Sequence, residues 1–444
     1  MNPYRSTRRE FLDAAGFAAA TTLVAPYVRT AHSAGKLNLL LWDHWVPGAN
    51  DVMRQLIEAW AEANHVEAQV DFAQNREVSA AGEARARTGH DVLTHDDWQV
   101  TIHREALEPV DDVIAELTNQ YGPYFDIAAY LAQHDGVWRA VVAPTGSHTY
   151  PMVSRVDFWS HHAGIELDTM FPAGPRDASL TGAWTYEAFL EGCKAVHAAG
   201  SPFGNPISVA SDAQNWLGPL FLAYGAEMVN AEAEIRVNSD NTWEVLEYLK
   251  ELTQYMPGEV YAWDNASNNR WLISDQGSAI MNPPSAWAVA KRDQPKVAAQ
   301  VWHHDVPSGP KGRYRAMLPF FWGIWEFSEN KSAAKDLLLH LCQKEQVDKL
   351  IWASQGYDTP LQPTFYDHKV WETEGPPSGT LYNYVVRGDE ELIVAGYPAP
   401  PSIAARIYIE GLFGNLVARI TQAGEPIDDA IAWAEAELES YLAR

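Results

Sequence analysis

The chain has 444 residues, 47% of them hydrophobic, and a formal net charge of −26 from 58 acidic and 32 basic side chains. That length exceeds what one hydrophobic core covers and predicts two domains, while the charge argues against nucleic acid or an anionic membrane surface as partner. Two cysteines, Cys193 and Cys342, in segments assigned to different domains, with no CxxC or Cys/His spacing, argue against a disulfide and a metal site.

Residues 1–34 read as an address rather than as fold. Thr7-Arg8-Arg9-Glu10-Phe11-Leu12 resembles the twin-arginine export motif. An Ala/Gly/Thr-rich apolar run from Ala14 to Val28 follows, and Ala31-His32-Ser33 offers a small-residue cleavage site before Ala34. The apolar run is shorter than the roughly 20 residues that cross a bilayer. The expected product is exported, with no stable membrane insertion.

Lys36 to Trp42 (KLNLLLW) is a continuous apolar run and predicts a buried strand, closed by a turn at Pro47-Gly48. Asn50 reads as the N-cap of an amphipathic helix from Asp51 to Ala63. A second strand is expected over Val66 to Phe72, a helix over Arg76 to Thr88 and a short strand over Asp91 to Leu93. This β-α-β-α-β order predicts a parallel sheet. Trp138 to Ala143 reads as a strand leading through Pro144 to a second lobe, with the crossing near Thr149 to Arg155. Thr185 caps a helix in Ala183 to Val196. Arg270 to Asp275 is helical, Ser278 to Met281 a strand, and Trp287 opens a further helical run. The chain is expected to return near Val301 to Pro307, to form a helix over Ser332 to Cys342, to cross again after Ser354-Gln355-Gly356, and to close with a helix over Pro426 to Leu442. The expected lobes are 35–148 plus 302–355 and 149–301 plus 356–444.

In an open α/β sheet, ligands sit beyond the carboxyl ends of the strands. Asp43, His44 and Trp45 follow the first strand, and Asp96, Asp97 and Trp98 follow the third. In the second lobe, Asn215 and Trp216 precede an apolar helix, Leu217 to Tyr224. Asn282, Ser285 and Trp287 follow the strand ending at Met281. Trp322 lies in the aromatic turn Phe320 to Gly323, and Tyr357 lies at the third crossing. Carboxylates accept several charge-assisted hydrogen bonds, and indole faces match the flat apolar face of a pyranose. The combination suits a sugar or polyol. Thr145 and His148 are further candidates on the hinge segment, and Arg270 or Arg315 would serve a sugar acid. His303-His304-Asp305 is read as structural rather than metal-binding.

Five ordered stretches resemble a known family. They are RWLISDQGSAIM (270–281, against a-F-x-x-G-x-x-A-M), AWTYEAFLEGCKAV (183–196, against W-T-W-D-E-F-x-x-x-A-K-x-L), and Pro307 to Arg313 with Gly323 to Ala334 (against P-x-G-P-x-G … G … S-K-N-x-x-A-A). SQGYDTPLQP (354–363) matches x-x-G-x-x-P, and DGVWRAVVAP (135–144) matches D-G-K-x-Y-A-x-P. Together they resemble bacterial extracellular solute-binding proteins of the maltose-binding type. The resemblance implies a periplasmic-binding-protein-like α/β fold, with two α/β lobes joined by crossover strands around a central ligand cleft. It implies a monomeric periplasmic component of an ABC importer that takes a small-molecule solute, a sugar or polyol, and hands it to permease subunits, with no cofactor and no catalysis. Two alternatives stand beside it: a binder of polyamines or other cations, which an acidic cleft would suit, and an exported glycosidase using a carboxylate pair.

Replacing Arg8 and Arg9 together with Lys is expected to hold the precursor in the cytoplasm. Fractionation and immunoblotting check it, and normal periplasmic yield would refute the export reading.

Overall fold

A computed structural model describes residues 35–46, 48–172, 174–373 and 389–443. The export segment, 1–34, lies outside them. Among the described residues there are thirteen strands: β1 (Lys36–Trp42), β2 (Glu67–Ala73), β3 (Val92–Asp96), β4 (Gln133–His134), β5 (Val137–Trp138), β6 (Val141–Val142), β7 (His148–Tyr150), β8 (Met152–Arg155), β9 (Ala279–Met281), β10 (Val301–His304), β11 (Arg313–Leu318), β12 (Phe320–Ile324) and β13 (Glu390–Ile393).

The first lobe is built on a sheet of order β2-β1-β3-β12-β6. β1 pairs in parallel with β2 and β3, and β12 runs antiparallel to β3 and β6, with Phe320 opposite Asp96. The apolar run of β1 is buried on both faces. Leu37, Leu39 and Leu41 pack with Met53, Ile57 and Trp60 of the helix Ala49–Asn64, and Leu40 faces the other core. Gly48, at φ 90, caps that helix in place of Asn50, because Asn50 is engaged backwards. Its Oδ1 accepts from the His44 N–H at 3.1 Å, and its Nδ2 donates to Asp43 Oδ1 at 2.7 Å.

The second lobe carries two three-stranded sheets, β10-β8-β9 and β13-β11-β7. Helices Tyr186–Ala198, Ser211–Tyr224, Asp240–Leu252, Pro401–Ile409, Leu412–Thr421 and Ile427–Leu442 share one core with them, and Ser267–Ile273 and Ser285–Asp293 pack on β8, β9 and β10. Thr185 caps the first of these by accepting from the Ala188 N–H at 3.2 Å. Cys193 and Cys342 are buried free thiols in separate cores.

The return crossing lies later in the chain than expected. β10 pairs with β8 inside the second lobe. The Pro307–Arg313 segment is a tight turn, with the Gly309 N–H donating to Gly312 O at 2.8 Å. It folds the chain back as β11, and only at Pro319 does the backbone pass into β12 of the first lobe. The third crossing is later too. Gln362 Nε2 donates to Gly122 O at 2.7 Å, and Phe365 and Trp371 pack on Val347 and Ile351, so the chain past Gly356 stays on the first lobe. His303, His304 and Asp305 are buried. His304 Nε2 lies 2.9 Å from Ser154 Oγ, and Asp305 takes Arg176 Nη1 at 2.7 and 2.8 Å. Among the described residues no group of three or more His, Cys, Asp or Glu is placed to hold a metal ion, and no helix is long and apolar enough to cross a membrane.

Helix Leu412–Thr421 presses a glycine onto the loop that leads to helix Ser211–Tyr224. A Cβ on Gly414 would stand 1.9 Å from the Ser208 carbonyl oxygen. Gly414→Ala is therefore expected to destabilise the chain by about 1–3 kcal/mol, measured by denaturant unfolding. Unchanged stability would show that the two segments are not in contact in solution.

Candidate functional site

A cleft of about 600 Å³ opens between the lobes. Its first wall is made by the ends of parallel strands. Trp42 ends β1, and Trp45 lies on the loop beyond. Gln74, Asn75, Arg76 and Glu77 follow β2. Asp96, Asp97, Trp98 and Gln99 end and follow β3. Phe320 stands where antiparallel β12 begins. The opposite wall carries His148, Asp212, Asp264, Asn269, Asn282, Ser285 and Tyr408, and Tyr357 closes one side. Trp42 anchors the floor, with ring centroids 4.9 Å from Phe320 and 5.9 Å from Tyr357.

Eight sequence-selected residues line this cleft: Trp45, Asp96, Asp97, Trp98, His148, Asn282, Ser285 and Tyr357. The others, Thr145 among them, do not. Asp43 binds Asn50, while its carbonyl accepts from Gln74 Nε2, so it holds a lining residue rather than being one. His44 Nδ1 accepts from the Val46 N–H at 2.8 Å, which leaves the proton on Nε2, 3.0 Å from Asp358 Oδ1. Asn215 and Trp216 fall inside the buried helix Ser211–Tyr224, which starts before the expected position and turns its first residues, Ser211 and Asp212, to the cleft. Trp216 donates to Pro206 O at 2.8 Å in the core. Asn215 Nδ2 donates to the Tyr408 hydroxyl at 3.1 Å. Trp287 sits two residues past Ser285 on the helix Ser285–Asp293, hence on its far side, packed with Val153, Leu272 and Ile280. Trp322 is one pleat deeper than Phe320 on β12 and belongs to the first-lobe core. Neither sugar-acid candidate lines the cleft. Arg270 pairs with Asp264 at 2.9 Å, and Arg315 is buried, 2.5 Å from Glu390 Oε2.

The sequence reading missed Arg76, Glu77, Asp212 and Tyr408. The first two follow a parallel strand just as Trp45 does, and the same rule would have found them. Asp212 sits in a helical first turn. Tyr408 carries no local signal: it lies near the end of the apolar helix Pro401–Ile409, and only the tertiary fold brings it to the cleft.

Arg76 is almost fully buried. Nε donates to Thr94 O at 3.2 Å, Nη1 to Ala73 O at 2.6 Å and Gln74 O at 2.9 Å, and Nη2 to Asp96. Asp97, with a positive φ of 32, takes the Tyr408 hydroxyl on Oδ2 at 3.0 Å. Its Oδ1 and the Trp98 Nε1 are buried without a hydrogen-bond partner. Burial, reinforced by the Asp96 charge, pushes the Asp97 carboxyl well above the usual carboxylate range. Burial and the Asp96 charge also raise Glu77, and burial lowers His148 to about 4. On the second wall an amide network is nearly closed. Asn268 Nδ2 donates to Asp212 Oδ2 at 2.9 Å, and Asn269 and Asn282 donate to Ser285 Oγ at 3.0 and 2.8 Å. Burial lifts Asp212 from 3.8 to about 7 despite the Asn268 bond.

Residues 55–375 match the bacterial extracellular solute-binding protein family. Among solved structures, maltose-bound MalE3 from T. maritima is 16% identical, with 91% of this chain and 99% of that one covered at a TM-score of 0.69. A sugar transporter protein from Arthrobacter chlorophenolicus A6 with bound laminaribiose is 15% identical over 92% and 99%, TM-score 0.70. The cyclic alpha-maltosyl-1,6-maltose binding protein from Arthrobacter globiformis is 13% identical over 92% and 99%, TM-score 0.70. At these identities the likeness establishes the fold. No functionally curated protein matches the chain.

The Asp212 carboxyl gives a signed test. Its folded value is raised, so between about 4 and about 7 the folded chain binds a proton that the unfolded chain has lost. Stability therefore falls as pH rises through that window, and the loss is complete above about 7. Asp212→Asn is expected to match the wild-type Tm near pH ~4 and to exceed it increasingly up to pH ~7, then level off. Thermal unfolding across pH reads it, and a constant offset would place Asp212 in contact with water.

Proposed function

The chain belongs to the bacterial extracellular solute-binding proteins, and from that premise we propose that it captures a carbohydrate or related polyhydroxylated solute between its lobes. The proposal extends to delivery, as a periplasmic monomer, to the permease of an ABC importer. The observation that carries it is the composition of the cleft. Trp45, Trp98, Phe320, Tyr357 and Tyr408 supply aromatic surface, and Asp97, Asp212, Asn269, Asn282 and Ser285 supply polar groups beside it. A sugar ring needs both, an apolar platform for its C–H face and hydrogen-bond partners for its hydroxyls. Neighbouring folds with bound maltose and laminaribiose support the same reading.

Binding is coupled to lobe closure by bonds that cross the cleft. The Tyr408 hydroxyl of the second lobe donates to Asp97 of the first, and Lys291 Nζ lies 3.0 Å from Gln355 Oε1. A solute that touches both walls adds to these contacts only when the lobes are together, and so shifts the population toward the closed form.

A thermal-shift screen of sugars, polyols, sugar acids and polyamines tests the class, since a saturating ligand raises apparent stability. Binding should leave the sugar chemically unchanged; hydrolysis would favour an enzyme. Trp45, 38% exposed on the rim, contributes little to the core. Trp45→Ala is expected to cost about 1–3 kcal/mol of sugar affinity with little change in Tm. Trp287→Ala should instead remove about 3–5 kcal/mol of stability. Calorimetric titration and unfolding of both variants decide it, and the reverse pattern would refute the assignment.

A further inference from the structure

We infer that the solute carries a protonated amine on its polyhydroxylated body, held by Asp97 and the carboxyls that face it across the cleft. This rests on the carbohydrate reading for the body of the solute, and on separate observations for its charge.

Asp97 lies in the cleft wall, only 7% exposed. Tyr408 occupies its Oδ2, and Asn215 fixes Tyr408 from behind by donating to the same hydroxyl. Tyr408 thus spends its own proton on Asp97, whose Oδ1 is left buried with no partner. Asp96 adjoins it, Glu77 comes from the start of the helix Glu77–Ala86, and Asp212 comes from the opposite lobe. All four line one cleft. Among the described residues that line it, Arg76 is the only Lys or Arg, and its donors go to Asp96 and to three backbone carbonyls. His148 is held neutral by burial. Asp264, the fifth carboxyl on the lining, is paired with Arg270, so the other four face one committed guanidinium.

A buried carboxylate without a counter-charge is costly. Sugar hydroxyls would donate hydrogen bonds to it but leave the negative potential uncancelled. An ammonium group does both, since it carries three donors and a full positive charge in a site of reduced dielectric. Burial is the main cause that raises Asp97 and Asp212, and the like charges of Asp96 at the first and Asp264 at the second add to it; that added negative potential favours a cation. An anionic sugar meets the opposite field, and no unengaged guanidinium lines the cleft to offset it.

Titration calorimetry at neutral pH with the β-linked glucosamine disaccharide, its N-acetylated form, the corresponding neutral glucose disaccharide and spermidine tests this. The expected result is that the glucosamine disaccharide binds about tenfold or more tighter than either neutral sugar, weakens as salt is raised, and displaces protons from the protein. Asp97→Asn should bring the three disaccharides to within about twofold. Glu77→Gln, at an exposed helix start, should reduce the preference partially, and reads the same effect should the Asp97 variant fold poorly. Equal or tighter binding of a neutral disaccharide, or no binding of the glucosamine disaccharide at millimolar concentration, overturns the inference; in the first case the carbohydrate reading stands. Binding of spermidine alone, abolished by Asp97→Asn, would uphold the charge selection and overturn the carbohydrate reading instead.

Discussion

β12 enters the first-lobe sheet antiparallel, between β3 and β6, although it follows them by more than a hundred residues in the chain. Its first residue, Phe320, sits opposite Asp96, the last residue of β3, so both reach the same edge of the sheet from opposite chain directions. The Asp97 N–H donates to Pro319 O at 3.0 Å, and the Phe320 N–H to His148 Nδ1 at 3.3 Å. The crossing from β11 is thus bonded to the β3 loop and to the outgoing hinge strand β7. Asp358 ties in the next segment, accepting from the Gly146 N–H at 2.7 Å and pairing with His44. The proposed closure of one lobe on the other would turn about this junction.

The cleft is also held from outside its own surface. Asp43 and Asn215 touch no cleft space, yet Asp43 orients Gln74 and Asn215 orients Tyr408. Removing the Asn215 side chain would leave Tyr408 with an extra rotamer, and binding would have to order it at an entropic cost. A residue can therefore matter to binding while being structural by position.

This distinction marks where the sequence was legible. The parallel strands of the first lobe and their end loops followed from apolar runs and turn residues, because β1 and β2 lie locally where their composition says, while the two-lobe fold was implied by the family resemblance. Trp45, Asp97 and Trp98 followed from the strand-end rule. What local pattern does not encode is which way a helix faces once packed. Ser285 and Trp287 are two residues apart and point to opposite sides. Trp322 and Phe320 share a face, but only the strand end reaches the cleft. The return crossing was misplaced for a related reason: Pro307 to Arg313 has turn residues compatible with a hinge or with a hairpin-like reversal, and the pairing of β11 with β7 and β13 selects the reversal. Tyr408 depends on the whole chain having folded.

The carboxyls also bear on when the lobes meet. Asp97 and Asp212 belong to different lobes, and after burial and the Asp96 charge, the Asp212 charge adds to the rise of the Asp97 carboxyl. Bringing the lobes together without a solute removes water from both and places like charges on facing walls, so the empty closed form carries a desolvation and repulsion cost. The Tyr408–Asp97 bond offsets part of it, a single hydrogen bond being worth about 1.5–3 kcal/mol when one partner is charged. A solute that donates to Asp97 Oδ1 and neutralises the facing carboxyls removes that cost only in the closed arrangement. Differential affinity between the two arrangements is what allows a ligand to drive closure at all, and on the proposed reading it would arise from the groups that the empty cleft leaves uncompensated.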